Sequence, residues 1–199
     1  MEDRFMPVRF IGTVSVSWLT QPGADRDVKL EQDFGFKDAS GLVWTAKKNA
    51  VVNGASIPQI FWSTFGSPFI GDYRRASVLH DYYCEVRTRS SAATHRMFYE
   101  ACLAGGVGPL KAKTMYTMVK TFGPSWSVVA ESIVVNGQTV IKEGGTLTFS
   151  RTMPQTEFSD VIQWIEAENP PIEEIDAEIA RRSTIVPFLP ISELGIAVE

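Results

Sequence analysis

Residues 53–95 read NGASIPQIFWSTFGSPFIGDYRRASVLHDYYCEVRTRSSAATH. The stretch holds both histidines of the chain, the first of its two cysteines, and a high density of aromatic residues and glycines. The apolar pair Val51-Val52 leads into it, and Asn53-Gly54 is a turn signal. Pro58 fixes its own φ and biases Ile57 away from the helical region. A strand is therefore expected to end near Val52, with Ser56 on a tight loop shaped by Asn53, Gly54 and Pro58. The aromatic residues Phe61, Trp62 and Phe65 follow, then a loop through Gly66, Pro68 and Gly71. Apolar spacing predicts a helix over about 73–86, with Ser77, His80 and Cys84 on one face and Asp81 at its edge. A second helix, about 91–103, places His95, Tyr99 and Cys102 roughly on one face.

Upstream, residues 8–19, 28–36 and 42–52 have the alternation of strands, separated by turn residues at 21–25 and at Asp38-Ala39-Ser40-Gly41. They predict a small antiparallel sheet whose last strand delivers the Ser56 loop. Downstream, Gly105, Gly106 and Gly108 stop the second helix, and Pro109 suits the first turn of a third, 110–122. Met115, Met118, Val119 and Phe122 form its apolar stripe. The three glycines do not form a phosphate cradle, because no Lys-Ser/Thr follows and no strand precedes them. Residues 127–148 are β-like, with Asn136-Gly137 as a two-residue hairpin signal and Gly144-Gly145 as a second turn. Two helices, 158–168 and 172–182, complete the pattern, the second with acids early and Arg181-Arg182 late, matching its dipole. The class is α+β: a small antiparallel sheet, a three-helix segment, then a β-hairpin and an acidic helical extension.

The motifs NGASIPQIFW, HDYYC and HRMFYEA, in this order and spacing, resemble the phage and prophage family called DUF1353. That family's pattern is a strand, a Gly-Ala-Ser-x-Pro turn followed by Phe-Trp, a loop, a His-Asp helix, and a second helix opening on Ala-Asp. The resemblance spans about residues 34–123. Asn53 stands where the family commonly has Asp, and His95 where it usually has Asp. The resemblance implies a bacteriophage or prophage protein, without implying an activity.

A chain of 199 residues can bury one sizeable core, or a domain with an appendage. Its net charge of −4 hides an asymmetry. Residues 1–125 carry 15 Lys and Arg against 11 Asp and Glu, whereas 126–199 carry 4 against 12. The change near Pro124 divides the expected organisation into a domain, 1–124, and an extension, 125–199. Cys84 and Cys102 lie on helices among apolar residues, which favours buried free thiols over a disulfide. No stretch is long enough to span a membrane, and the N-terminus MEDRFMPVRF has no signal-peptide core. The chain is thus expected to be made in a host cytoplasm.

His80-Asp81 is the sharpest chemical constellation. With His95 it could supply three ligands to a metal, zinc being the one cofactor the residues suggest. Adjacent helical residues diverge by about 100°, so Asp81 is placed more easily behind the two histidines than beside them. Ser56 could act as a nucleophile with His80 as its base and Asp81 orienting it, though no Gly-x-Ser-x-Gly elbow surrounds it. A structural reading competes with both: His80 bonds across the core to Ser56 or Asn53 and pins the loop to the helix. A Cys/His zinc site fits poorly, because His95 and Cys102 lie roughly 10 Å apart along one helix. The basic side chains of 74–120 face either nucleic acid or the acidic extension, and the acidic whole and the lack of a binding motif disfavour nucleic acid. The terminal stretch contains Phe188, Leu189, Ile191 and Leu194, interrupted by Pro187 and Pro190. It is expected to pack on its own domain or to contact a neighbour. The leading expectation is a virion-associated structural protein of the tail or neck. Its domain would be a scaffold, and its C-terminal arm would contact copies of itself or other virion proteins. The alternative is a metal-dependent peptidoglycan hydrolase.

Overall fold

The computed structural model describes residues 8–21, 26–54, 71–135 and 138–187, with the backbone alone over 130–145 and at 187. Three long strands were expected near the N-terminus, and each is broken once. The first becomes β1 (Arg9–Ile11) and β2 (Val16–Trp18), parted at Gly12 with φ +77°. The second becomes β3 (Val28–Leu30) and β4 (Phe34–Lys37). The third becomes β5 (Val43–Ala46) and β6 (Val51–Val52), parted where Asn49 adopts φ 69°. The halves pair as two antiparallel sheets, β1-β4-β5 and β2-β3-β6, in place of a single sheet. A short meander creased at its middle can wrap two sides of a core; alternation alone does not show the crease.

The inner faces carry Val28, Leu30, Phe34, Phe36, Trp44, Ala46 and Val52, all 2% exposed or less. Asp38 holds the crossing between β4 and β5. Its Oδ1 accepts from Ser40 Oγ and the Leu42 amide, and its Oδ2 accepts from Trp44 Nε1 at 2.8 Å. The buried indole thus keeps a partner for its N–H, as a buried tryptophan requires.

Helices α1 (Arg74–Val86), α2 (Ser91–Gly105) and α3 (Pro109–Phe122) follow. Tyr83 of α1 stacks edge-on against Trp44, and its hydroxyl accepts the Thr45 amide at 2.9 Å, tying helix to sheet. Ser90 caps α2 through the Ala93 amide, and Gly106, with φ +101°, ends it. A Cβ at Gly105 would meet the Asp72 carbonyl at 2.4 Å, so glycine there lets the end of α2 touch the entry to α1. This accounts for the glycine cluster as a helix stop and a close approach. Cys84 and Cys102 are buried free thiols.

Beyond α3 come β7 (Ser125–Val135), β8 (Gln138–Thr152), α4 (Gln155–Glu168), α5 (Ile172–Arg182) and β9 (Thr184–Pro187). The three strands form a third sheet, β7-β8-β9. The turn expected at Gly144-Gly145 is absent: β8 runs through it. Pairing passes from Val128↔Thr146 to Ala130↔Glu143, so the two glycines sit at a bulge. The hairpin itself closes where Val135 pairs Gln138, on either side of Asn136-Gly137.

The boundary expected at residue 124 does not separate two cores. Phe158, Val161 and Ile165 of α4 and Ile172, Ile175 and Ile179 of α5 belong to the same hydrophobic cluster as α2 and α3. Charge follows the same line. Arg96 pairs with Glu173 at 2.9 Å, Lys113 reaches Asn169 Oδ1 at 2.6 Å, and Lys120 pairs with Asp176. Two cations of the helical segment, Arg96 and Lys120, are therefore answered by acids of the extension of the same chain.

Candidate functional site

α1 and α2 pack side by side and bring the two histidines into contact. His80 is 0% exposed and His95 2%. His80 Nε2 lies 2.9 Å from His95 Nδ1, and His95 Nε2 lies 3.1 Å from the Pro124 carbonyl. A carbonyl only accepts, so His95 carries its proton on Nε2 and offers Nδ1 as an acceptor. His80 then donates from Nε2. Its Nδ1 is left as an acceptor, 3.8 Å from the Cys84 thiol. The result is a directed chain of hydrogen bonds from α1 through α2 to the residue just before β7.

Burial keeps both rings neutral. It lowers His80 to a pKa of about 3. His95 is pushed well below the ordinary imidazole value by burial first and by the neighbouring ring second, while the bond to Pro124 opposes the shift. Phe98 lies against His80, with ring centroids 4.7 Å apart.

Asp81 faces elsewhere. Its Oδ2 accepts the amides of Asn53 and Gly54, at 2.7 and 3.1 Å. Asp81 thus pins the Asn53-Gly54 turn to α1, while the bond expected from His80 to the Ser56 loop falls on a residue outside the described ones. Neighbouring helical positions diverge, so His80 points at α2 and Asp81 at the turn after β6. The metal set His80, Asp81 and His95 does not converge on one point. A zinc site closes three or four donors around the ion at about 2.0–2.3 Å. Among the described residues no group of three or more His, Cys, Asp and Glu is arranged to hold a metal. The donor set therefore does not fit zinc. Ser56 and Pro58 lie outside the described residues, as do Phe188, Leu189, Ile191 and Leu194.

Sequence reasoning missed the root of the β7–β8 ribbon. Ser91 Oγ donates to the Trp126 carbonyl at 2.9 Å and accepts the Trp126 amide at 3.0 Å. The buried Trp126 indole donates to the Arg89 carbonyl at 2.6 Å. With His95 on Pro124, these bonds seat the ribbon on the start of α2. Ser91 and Trp126 are 35 residues apart, so no local pattern could have paired them.

Residues 28–119 match the family model described as "Protein of unknown function (DUF1353)". These residues form a DUF1353 domain. The domain holds β3–β6, α1, α2 and most of α3; the ribbon, α4 and α5 lie outside the matched residues. The chain is 50% identical over 108 residues to "Uncharacterized protein y4jT" of Sinorhizobium fredii, covering 54% of this chain and 32% of that protein. It is 41% identical over 105 residues to "Uncharacterized protein y4iH" of the same organism, covering 53% of this chain and 44% of that protein. The matches thus span less than half the length of either relative. No solved structure matches the chain.

Proposed function

We propose that this protein is a structural assembly subunit whose DUF1353 domain is the scaffold and whose β7–β8 ribbon is the arm that contacts neighbouring subunits. The motif resemblance makes a bacteriophage or prophage virion the setting of this proposal, at the tail or neck. The neighbours are copies of the chain or other virion proteins.

The ribbon carries the reading. At about 3.4 Å per residue, its 11-residue β7 extends about 35 Å. β9 pairs only with Phe149–Thr152 of β8, so from Ala130 to Glu143 the described pairing is two-stranded. A two-stranded ribbon is marginal alone in water, and an open strand edge is a template for adding a strand from a neighbour. Leu147, Ile185 and Val186, all more than half exposed, add apolar surface beside the ribbon's base. The root is held by Trp126, Ser91 and His95, as an arm that transmits load requires.

The peptidoglycan hydrolase reading lacks comparable support. Its two histidines are buried and bonded to each other, and its carboxylate holds turn amides.

The test replaces residues 129–145 with Asn-Gly. The paired Val128 and Thr146 then close on a two-residue hairpin. Sedimentation of the full chain, alone and with co-expressed virion proteins, should show a higher-mass species that the shortened chain cannot form. Identical mass distributions for the two chains would overturn the proposal.

A further inference from the structure

A cleft of about 510 Å³ opens between the β2-β3-β6 sheet and the first turn of α1. It lies apart from the histidines and from the ribbon. Its floor is apolar: Val28 and Val78 line it and are almost fully buried, and Val16 lines it from β2. Trp18 lies at its rim with 59% of its surface exposed. Arg74 and Arg75 line its mouth from α1.

The other cations of the helical segment have partners. Arg96, Lys113 and Lys120 are matched by groups on α5 or in the turn before it. Arg87 and Arg89 donate to carbonyls. Among the described residues, neither Arg74 nor Arg75 forms an ion pair. Both sit in the first turn of a helix, where cations oppose the dipole and acids are favoured. A local choice that works against the element carrying it is expected where function overrides stability. Arg75 is also held in place, its guanidinium 4.2 Å above the Phe10 ring. Among the described residues Asp72 is the one carboxylate in the lining, against the two arginines.

A cleft of this volume suits a small organic ligand, and such sites combine an apolar body with a few placed polar groups. We infer that the cleft binds an amphiphilic organic anion: an apolar ring or chain lying on Val16, Val28, Val78 and Trp18, with a phosphate or carboxylate at Arg74 and Arg75. The guanidinium fork suits either head group.

Calorimetric titration of the full chain with naphthyl phosphate, and with naphthol as its neutral counterpart, tests this. The anion should saturate one site and bind at least about tenfold more tightly than naphthol. Arg74→Gln with Arg75→Gln should bring the anion down to the affinity of naphthol. Val16→Trp, which fills the floor and leaves the arginines, should abolish binding of both; melting curves confirm that each variant is folded. Absence of saturable anion binding, equal affinity for the two probes, or binding unchanged in both variants would each overturn the assignment.

Discussion

His80 and His95 are neutral in the folded chain because no water reaches them to solvate an imidazolium. Each ring instead meets a nitrogen or carbonyl with its proton placed to suit. Unfolding exposes both to water, where they titrate near 6.5. Because the folded values are depressed, the unfolded chain binds more protons below that pH, so stability falls as pH falls. The window runs from about 6.5 down towards the folded value of about 3 for His80. The slope there approaches about 1.4 kcal/mol per pH unit for each histidine. Urea midpoints should therefore drop between about pH 7 and about pH 5, before most carboxylates titrate. In His80→Gln the decline should be shallower by the share of one histidine. Equal slopes in the two proteins would mean that His80 is charged or solvated when folded. The adjacency of His80 and Asp81 was plain in the sequence, but their partners were not. Helical geometry separates the two side chains, and packing gives one to α2 and the other to the Asn53-Gly54 amides.

Among the elements, α5 shows how charge and packing act together. Its face of Ile172, Ile175 and Ile179 is buried against α3 and α4, and its acids reach basic residues at the border. Tyr116 donates to Asp176 Oδ1 at 2.5 Å, and Lys120 reaches both. Burial first, then the Asp176 bond and charge, raises the Tyr116 hydroxyl far above the ordinary phenol value. A double-mutant cycle of Tyr116→Phe and Asp176→Ala should give a coupling of about 1 kcal/mol in chemical denaturation. The coupling should survive added salt better than the Arg96–Glu173 pair, because the Tyr116 end is shielded and Glu173 is exposed. Additive single effects would show that the contact holds no stability. The charge asymmetry was legible as a count, and α5 itself was legible from its apolar period and dipole-matched ends. Its landing place on α3 was not, because Tyr116 and Asp176 are 60 residues apart.

At the scale of the whole molecule, one core runs through the DUF1353 domain and the segment after it. Cutting the chain after Gly123 would remove Val161, Ile165, Ile175 and Ile179, all fully buried against it. Each such side chain is worth roughly 1.5–3 kcal/mol of burial. The truncated chain should lose its cooperative thermal transition. Replacing residues 129–145 with Asn-Gly should leave the transition nearly unchanged. A sharp transition in the truncated chain would show that residues 8–123 close a core of their own. The ribbon can thus be removed without the scaffold, whereas α4 and α5 cannot.

By itself the sequence determined the α+β class, the positions of five helices, the hairpin at Asn136-Gly137 and the resemblance to DUF1353. All of these rest on local physics: the 3.6-residue period, glycine and proline stops, turn chemistry, and a motif contiguous in the chain. Only the tertiary structure decided that three expected strands crease into two sheets and that His80 bonds to His95 while Asp81 holds a turn. It also decided that the acidic extension closes the core, and that Arg74 and Arg75 line a cleft floored by valines. These are contacts between residues far apart in sequence, set by which surfaces bury together and which charges find partners, and no local period encodes them.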